Sequence, residues 1–288
     1  VTMLQRSPTY IISAPSRDRI ADLMRGRVPR ESAYAVTRWK NVLLTMAFYA
    51  YCRRFPQKAK ALLVGQARRQ VRGKVDAAHL TPSYKPWDQR VCLVPNGDLF
   101  AALRDGRASI VTDHISTFEE TGIKLKSGQT IDADLVVTAT GLKLKFLGGV
   151  GLDVDGTHIV PKETMTYKGM MISGVPNMAL ALGYTNASWT LKCDLTSEYV
   201  CRLLNYMDDK GYAQCCPRRD PSVEEQPIID FSSGYVQRSL DLFPRQGKEV
   251  PWRVHQNYAL DLMMLRRARL DDRSMEFSKS DAAAVTAQ

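Results

Sequence analysis

The stretch Asp132-Ala133-Asp134-Leu135-Val136-Val137-Thr138-Ala139-Thr140-Gly141-Leu142 decides how this sequence is read. Leu135 to Thr138 carry no charge and present side chains of strand-forming type to both sides, which predicts a strand buried on both faces. The run ends in Ala139-Thr140-Gly141, where nothing larger than a hydroxyl projects. A flat or phosphorylated ligand can therefore come close to that backbone. A tight turn explains the three residues equally well. Just upstream, Ile123 to Lys126 alternate, Ser127-Gly128 turns and Gln129 to Ile131 return, which reads as a hairpin.

Working outward, residues 1–5 read as a short strand that Arg6-Ser7-Pro8 ends, and residues 108–112 as a second strand pairing with it. Helical pattern begins near Ser16 and continues as a long apolar-rich helix over 33–54 and a basic one over 58–72. Pro82, Pro86 and Pro95 mark a loop. A short helix is expected over 98–104, with Asp98 in its first turn, where a carboxylate suits the helix dipole. Downstream, residues 178–182 form an apolar run ending at Gly183, and 194–208 form an amphipathic helix. Past Gly211 the chain reads as an irregular tail with one helix over 258–269, and residues 282–288 are expected to fray. The order of elements predicts an α/β fold in two parts, 1–140 and 141–288, with a helical insertion at about 14–80.

Composition narrows the class. The 288 residues are 44% hydrophobic and 24% charged, values of an ordinary globular protein, which excludes disordered, collagen-like and coiled-coil chains. The longest apolar stretch, residues 42–52, is about half a bilayer span. The opening residues carry no secretory pattern, and six scattered cysteines without a CxxC fit reduced thiols, so a cytoplasmic location is expected. His79, His114, His158 and His255 lie far apart and predict no metal site. Between Ser13 and Val75 fifteen Lys and Arg face only Asp18, Asp22 and Glu31, a local charge of +12 in a chain of +10. That block is a solvated basic helical face, a contact with a phosphate-rich cofactor or a peripheral contact with an anionic membrane. No zinc-finger, RRM or basic-zipper pattern accompanies it, so nucleic acid is not expected.

Hairpin, Asp134, apolar strand and ATG follow one another as in flavin-dependent oxidoreductases with two dinucleotide-binding domains. The segments TMLQRSPTY (from Thr2), PWDQRVCLVPNGDLF (from Pro86), DADLVVTATGL (from Asp132) and GVPNMALALGYTNASWTLK (from Gly174) resemble the flavin-containing Baeyer–Villiger monooxygenases. The resemblance runs over nearly the whole chain and is weakest after Lys210. It implies a Rossmann-like flavoprotein using FAD and NADPH. Residues 1–140 would be the later part of the NADPH-binding domain and 141–288 the later part of the FAD-binding domain. The family's GxGxxG fingerprints do not occur, so the N-terminal FAD-binding unit is expected to be missing.

The resemblance also assigns roles. Arg6, followed by Ser7, would fork onto the adenosine 2′-phosphate of NADPH. Arg90 would be the catalytic arginine, stabilising negative charge during oxygen transfer. Gln89 stands where many members have a lysine as a second phosphate contact, which predicts a weaker preference for NADPH over NADH. Ala139, Thr140 and Gly141 would lie against the cofactor, and Asn186 and Ser188 would face the flavin from a strand-to-helix turn, where both are also ordinary N-cap residues. The activity implied is insertion of one atom of O2 into a ketone, or oxidation of a sulfur or nitrogen centre such as a sulfide or thioamide. The competing expectation is a catalytically silent remnant that cannot hold FAD alone. Uncovered apolar edges in such a remnant would make it poorly soluble or oligomeric.

Overall fold

The structure, a computed structural model, describes residues 1–279; the expected frayed segment 282–288 lies outside them. The chain divides into two compact units, Val1–Gly141 and Leu142–Gln288.

In the first unit, β1 (Thr2–Gln5) leads to β2 (Ile11–Ala14), then to helices α1 (Arg19–Met24), α2 (Arg30–Arg54) and α3 (Pro56–Val71). Next come β3 (Cys92–Pro95), α4 (Asp98–Arg104), β4 (Ser109–Thr112) and a small sheet of β5 (Ile115–Glu119), β6 (Gly122–Leu125) and β7 (Thr130–Asp132). β1 pairs in parallel with β4, Thr2 opposite Ser109, as expected, and β2 pairs in parallel with β3. Parallel pairs need a long crossover, and helices supply it. On α3, Ala59, Leu63, Ala67 and Val71 fall four apart and are all buried, so one stripe faces the strands. Ala67 and Val71 join Leu80, Phe100, Leu103 and Ile110 in one core, with Met3 and Ile11 against it. Pro56 starts α3 at a position where no N–H is needed. Ahead of α4 the chain turns through Asn96 and Gly97, both left-handed. A Cβ on Gly97 would sit 2.9 Å from Gln70 Oε1 and 3.0 Å from Ser13 Oγ, so both backbone angle and space require glycine.

α1 and α2 form a helical hairpin pinned at its base by one carboxylate. Asp18 caps α1, accepting from the N–H groups of Ile20 and Ala21, and also binds Lys40 and Asn41 midway along α2. The hydrogen bond from Lys40 is the largest cause holding Asp18 down at about 2.

The strand expected at 135–138 does not form. Leu135 and Val137 are each 81% exposed, and residues 133–141 belong to no strand. An apolar run becomes a central strand only when neighbours flank its backbone and layers cover both faces. Among the described residues nothing supplies either. The continuous doubly wound sheet is likewise absent among them: the architecture is α/β, but no sheet exceeds three strands.

The second unit is built from short antiparallel ladders and three helices, of which α5 and α7 are the long ones. Its elements are β8 (Asp153–Val154), β9 (Thr157–His158), β10 (Thr166–Tyr167), β11 (Met171–Ile172), α5 (Trp189–Lys210), β12 (Gln214–Pro217), β13 (Glu225–Pro227), α6 (Gly234–Gln237), β14 (Arg245–Gly247), α7 (Tyr258–Arg267) and β15 (Met275–Ser278). The ladders pair β8 with β9, β10 with β11, β12 with β15, and β13 with β14. Residues 178–182 are irregular rather than a strand. Met178 and Leu180 pack on Phe146, Ile172 and Val175, and Ala179 and Ala181 face solvent. α5 buries Leu191, Leu195, Tyr199, Leu203 and Met207 at four-residue spacing. Arg202 on α5 donates to the carbonyls of Leu265, Arg266 and Ala268 at 2.8–2.9 Å, satisfying the end of α7 with a cation where the helix dipole is negative. All six cysteines are free: Cys52, Cys215 and Cys216 are buried, Cys193 is half-buried, and Cys92 and Cys201 are exposed. Among the described residues no helix is long and apolar enough to cross a membrane.

Candidate cofactor-binding site

In the first unit the loops carrying Arg6–Ser7 and Gln89–Arg90 meet. Tyr10 and Tyr84 pack edge to face at 5.4 Å, Tyr10 Oη donates to the Tyr84 carbonyl at 2.6 Å, and Thr9 Oγ1 lies 2.8 Å from Tyr84 Oη. The Cys92 N–H then donates to the Tyr10 carbonyl at 2.8 Å, aligning β2 with β3. Burial, with a smaller push from Tyr84, raises the Tyr10 phenol to about 12, so this joint stays neutral and donating. The second loop is a tight turn. Trp87 has φ of 71°, the Asp88 N–H donates to the Lys85 carbonyl, and Arg53 on α2 binds Asp88 at 3.0 Å. Trp87 leans on Tyr49 at 5.4 Å. Gln89 is half-buried beside Pro86.

Arg6, Ser7 and Arg90 are all exposed at the rim of this joint. Neither arginine has an ion-pair partner among the described residues. An exposed guanidinium without counter-charge is free to fork onto an incoming anion. Ala139, Thr140 and Gly141 end the same unit, exposed, with Gly141 at φ 124°, a backbone angle that favours glycine.

In the second unit the turn ahead of α5 is held from one side. Gln256 Oε1 accepts from the Thr185 N–H at 2.9 Å and from Thr185 Oγ1 at 3.0 Å, while Asn186 Nδ2 donates to the Gln256 carbonyl at 2.9 Å. Asn186 is buried with its Nδ2 on this tie, and the N-cap position of α5 falls two residues later. Ser188 does occupy the N-cap position but makes no capping bond; its hydroxyl lies 2.9 Å from that of Thr190. The first-turn N–H groups of this 22-residue helix are left without a side-chain cap. The Trp189 indole folds back over Gly183 so closely that any Cβ there would collide with it.

Behind the turn lies a cluster that sequence reading passed over. Asp261 on α7 is completely buried; its Oδ2 accepts from Tyr184 Oη at 2.7 Å and from Lys192 Nζ at 2.8 Å. Burial pushes the Lys192 amine down and the Tyr184 phenol up. Burial also lowers the nearby His255 imidazole, against an opposing pull from Asp261. A second pair joins buried Lys168 to Asp272 at 2.8 Å, with Tyr167 Oη donating to the same carboxylate at 2.6 Å. The available signal was an acid and a lysine on otherwise apolar helix faces: Asp261 within Tyr258-Ala-Leu-Asp-Leu-Met, and Lys192 beside Leu191 and Leu195.

No family model matches the sequence. Among curated proteins, the chain is 51% identical over 284 residues to the FAD-containing monooxygenase EthA of Mycobacterium tuberculosis, a match covering 98% of this chain. It is 48% identical over 281 residues to a probable FAD-binding monooxygenase, AlmA, of Acinetobacter baylyi. The chain resembles the FAD-containing monooxygenases over nearly all of its length. It spans 58% of the length of EthA and 56% of that of AlmA. Among solved structures, a steroid monooxygenase bound to NADP matches 97% of this chain and 62% of its own, with a TM-score of 0.63 at 18% identity. Cyclohexanone monooxygenase from Rhodococcus sp. Phi1 bound to NADP+ matches with a TM-score of 0.56 at 14% identity. At such identities these two speak for the fold alone.

Proposed function

We propose that this chain is part of an FAD- and NADPH-dependent monooxygenase of Baeyer–Villiger type. The observation that carries the reading is the 51% identity, over 98% of the chain, to an FAD-containing monooxygenase. Arg6 and Ser7 hold the adenosine 2′-phosphate of the nicotinamide cofactor, with Gln89 beside them. In support, Arg6 is exposed and uncompensated on a loop fixed to that of Gln89. The uncapped first turn of α5, with Asn186 and Ser188 at its approach, faces the flavin. Its N–H groups and positive dipole end favour negative charge on a bound ring. Ala139, Thr140 and Gly141 let backbone and cofactor approach closely. When bound and reduced, the flavin supplies to the substrate one oxygen atom taken from O2.

Arg90 is the catalytic residue in this reading. Its guanidinium cannot lose its proton, so it offers a fixed positive charge to the negative charge that builds up as oxygen transfers to a ketone, sulfide or thioamide. In the enzyme carrying this segment, Arg90→Ala abolishes oxygenation and leaves NADPH-driven flavin reduction largely intact. Equal loss of both half-reactions would make Arg90 structural.

A silent chain that does not hold FAD by itself is the second reading. It is favoured by the unpartnered run 135–138 and by sheets of no more than three strands. Gel filtration of the purified chain, read at protein and flavin wavelengths, separates the two. A yellow, monodisperse species that consumes NADPH supports an enzyme sufficient in itself. A colourless or aggregated species supports the silent reading, and return of flavin binding on adding the rest of a relative's length in trans would show that this chain carries its share of the site.

A further inference from the structure

The α1–α2 hairpin ends in an exposed tip whose side-chain contacts are local, Arg25 to Asp22 at 3.1 Å and Arg27 to the Leu23 carbonyl at 3.0 Å. Every residue from 25 to 32 is exposed, and none from 19 to 41 is buried. The tip reads Arg25-Gly26-Arg27-Val28-Pro29-Arg30-Glu31-Ser32. Large apolar side chains stand on and beside it: Leu23 is 61% exposed, Val28 41%, Tyr34 62% and Val36 50%. Solvation alone explains arginines on a helix but gives no reason for leucine and valine at a projecting tip. The base is fixed, because Asp18 ties the start of α1 to Lys40 and Asn41. The tip is therefore presented rather than loose.

Mixed arginine and aliphatic side chains on a convex surface have a specific physical meaning. Aliphatic groups gain by leaving water, and arginine stems can lie along an apolar boundary while their heads stay among anions. A tip offers no concave pocket to receive a partner's side chain, and a second copy meeting it tip to tip would bring Arg25, Arg27 and Arg30 against the same three arginines. A fluid, negatively charged surface meets both demands at once.

We propose that this hairpin tip docks the chain on an anionic lipid surface, with Leu23 and Val28 entering the acyl boundary and Arg25, Arg27 and Arg30 among the headgroups. The docking does not depend on the cofactor reading, and loss of flavin binding would leave it untouched. Co-sedimentation of the chain with phosphatidylcholine vesicles, with and without phosphatidylglycerol, tests it. Binding is expected only where phosphatidylglycerol is present, and it weakens as salt rises. Arg27→Gln and Arg30→Gln each lower partition about fivefold. Leu23→Asp with Val28→Asp lowers it more than about tenfold. These residues contact no core, so circular dichroism and the urea midpoint stay those of the wild type, which separates lost docking from lost folding. Equal binding to neutral vesicles, no binding at all, or full binding by the variants would overturn the proposal. A change in the oligomeric state of the vesicle-free variants would overturn it too, assigning the tip to a second copy.

Discussion

Arg6 and Arg90 of the first unit and Lys168 and Lys192 of the second carry positive charge in opposite ways. In the first, Arg6 and Arg90 sit at the surface with no counter-ion among the described residues. In the second, Lys168 and Lys192 are almost wholly buried and each is matched to a carboxylate at 2.8 Å. A charge neutralised inside the fold is already spent; its electrostatics hold elements together. A charge left open at the rim of a rigid loop is available to an incoming anion. The contrast marks Lys168 and Lys192 as scaffold and leaves Arg6 and Arg90 as candidates for a site.

The sharpest way to break that contrast is at Asp261. Asp261→Ala strands Lys192 and leaves the Tyr184 hydroxyl without its acceptor, so unfolding should cost about 3–5 kcal/mol less than in the wild type by urea denaturation. Asp261→Asn combined with Lys192→Met removes both charges and should recover most of the loss; failure to recover would mean the carboxylate does more than balance the amine. Next in size is Gly183→Ala. Its methyl group must displace the Trp189 indole, a loss of about 1–3 kcal/mol visible as a lower melting temperature and altered tryptophan emission.

A smaller effect comes from His255. Its imidazole pKa is lowered in the folded state, so the unfolded chain binds the proton first. Stability should therefore fall as pH drops below the ordinary imidazole value, and level off once pH passes below the folded pKa. His255→Gln should flatten that part of the stability–pH curve; an unchanged slope would move the titration to another group. The smallest stability effects belong to Arg6→Gln and Arg90→Gln. With no partner to lose, each should change unfolding by no more than about 0.5 kcal/mol. Losses near those at Asp261 would show both arginines to be scaffold after all.

Much of the local structure was legible in the sequence. Residues 98–104 form the expected helix, and the pairing of β1 with β4 and the β6–β7 hairpin follow from pattern and turn chemistry. The misses share a cause. The run 135–138 has the composition of a central strand, but composition is local and strand formation depends on neighbours elsewhere. β3 was hidden because Pro95 ends it and the surrounding prolines spoke for a loop. At the candidate site, Arg6 and Arg90 were found by resemblance, and the structure adds that their loops are joined through Tyr10 and Tyr84. For Asn186 the resemblance implies a place facing the flavin and the residue type also suits a cap; its burial against Gln256, some seventy positions later, is a tertiary fact. Asp261 and Lys192 could not be paired from sequence, since one acid and one base on separate helices carry no sign of mutual approach.

The distribution of thiols has a practical consequence. Cys92 and Cys201 are both exposed, one in each unit, and Cys52, Cys215 and Cys216 lie inside. Brief treatment with a bulky maleimide should mark these two positions ahead of half-buried Cys193 and well ahead of the buried three. A donor–acceptor dye pair placed there turns the chain into its own molecular ruler. The separation of its halves could then be followed in solution while nucleotide is added, without introducing a single foreign residue.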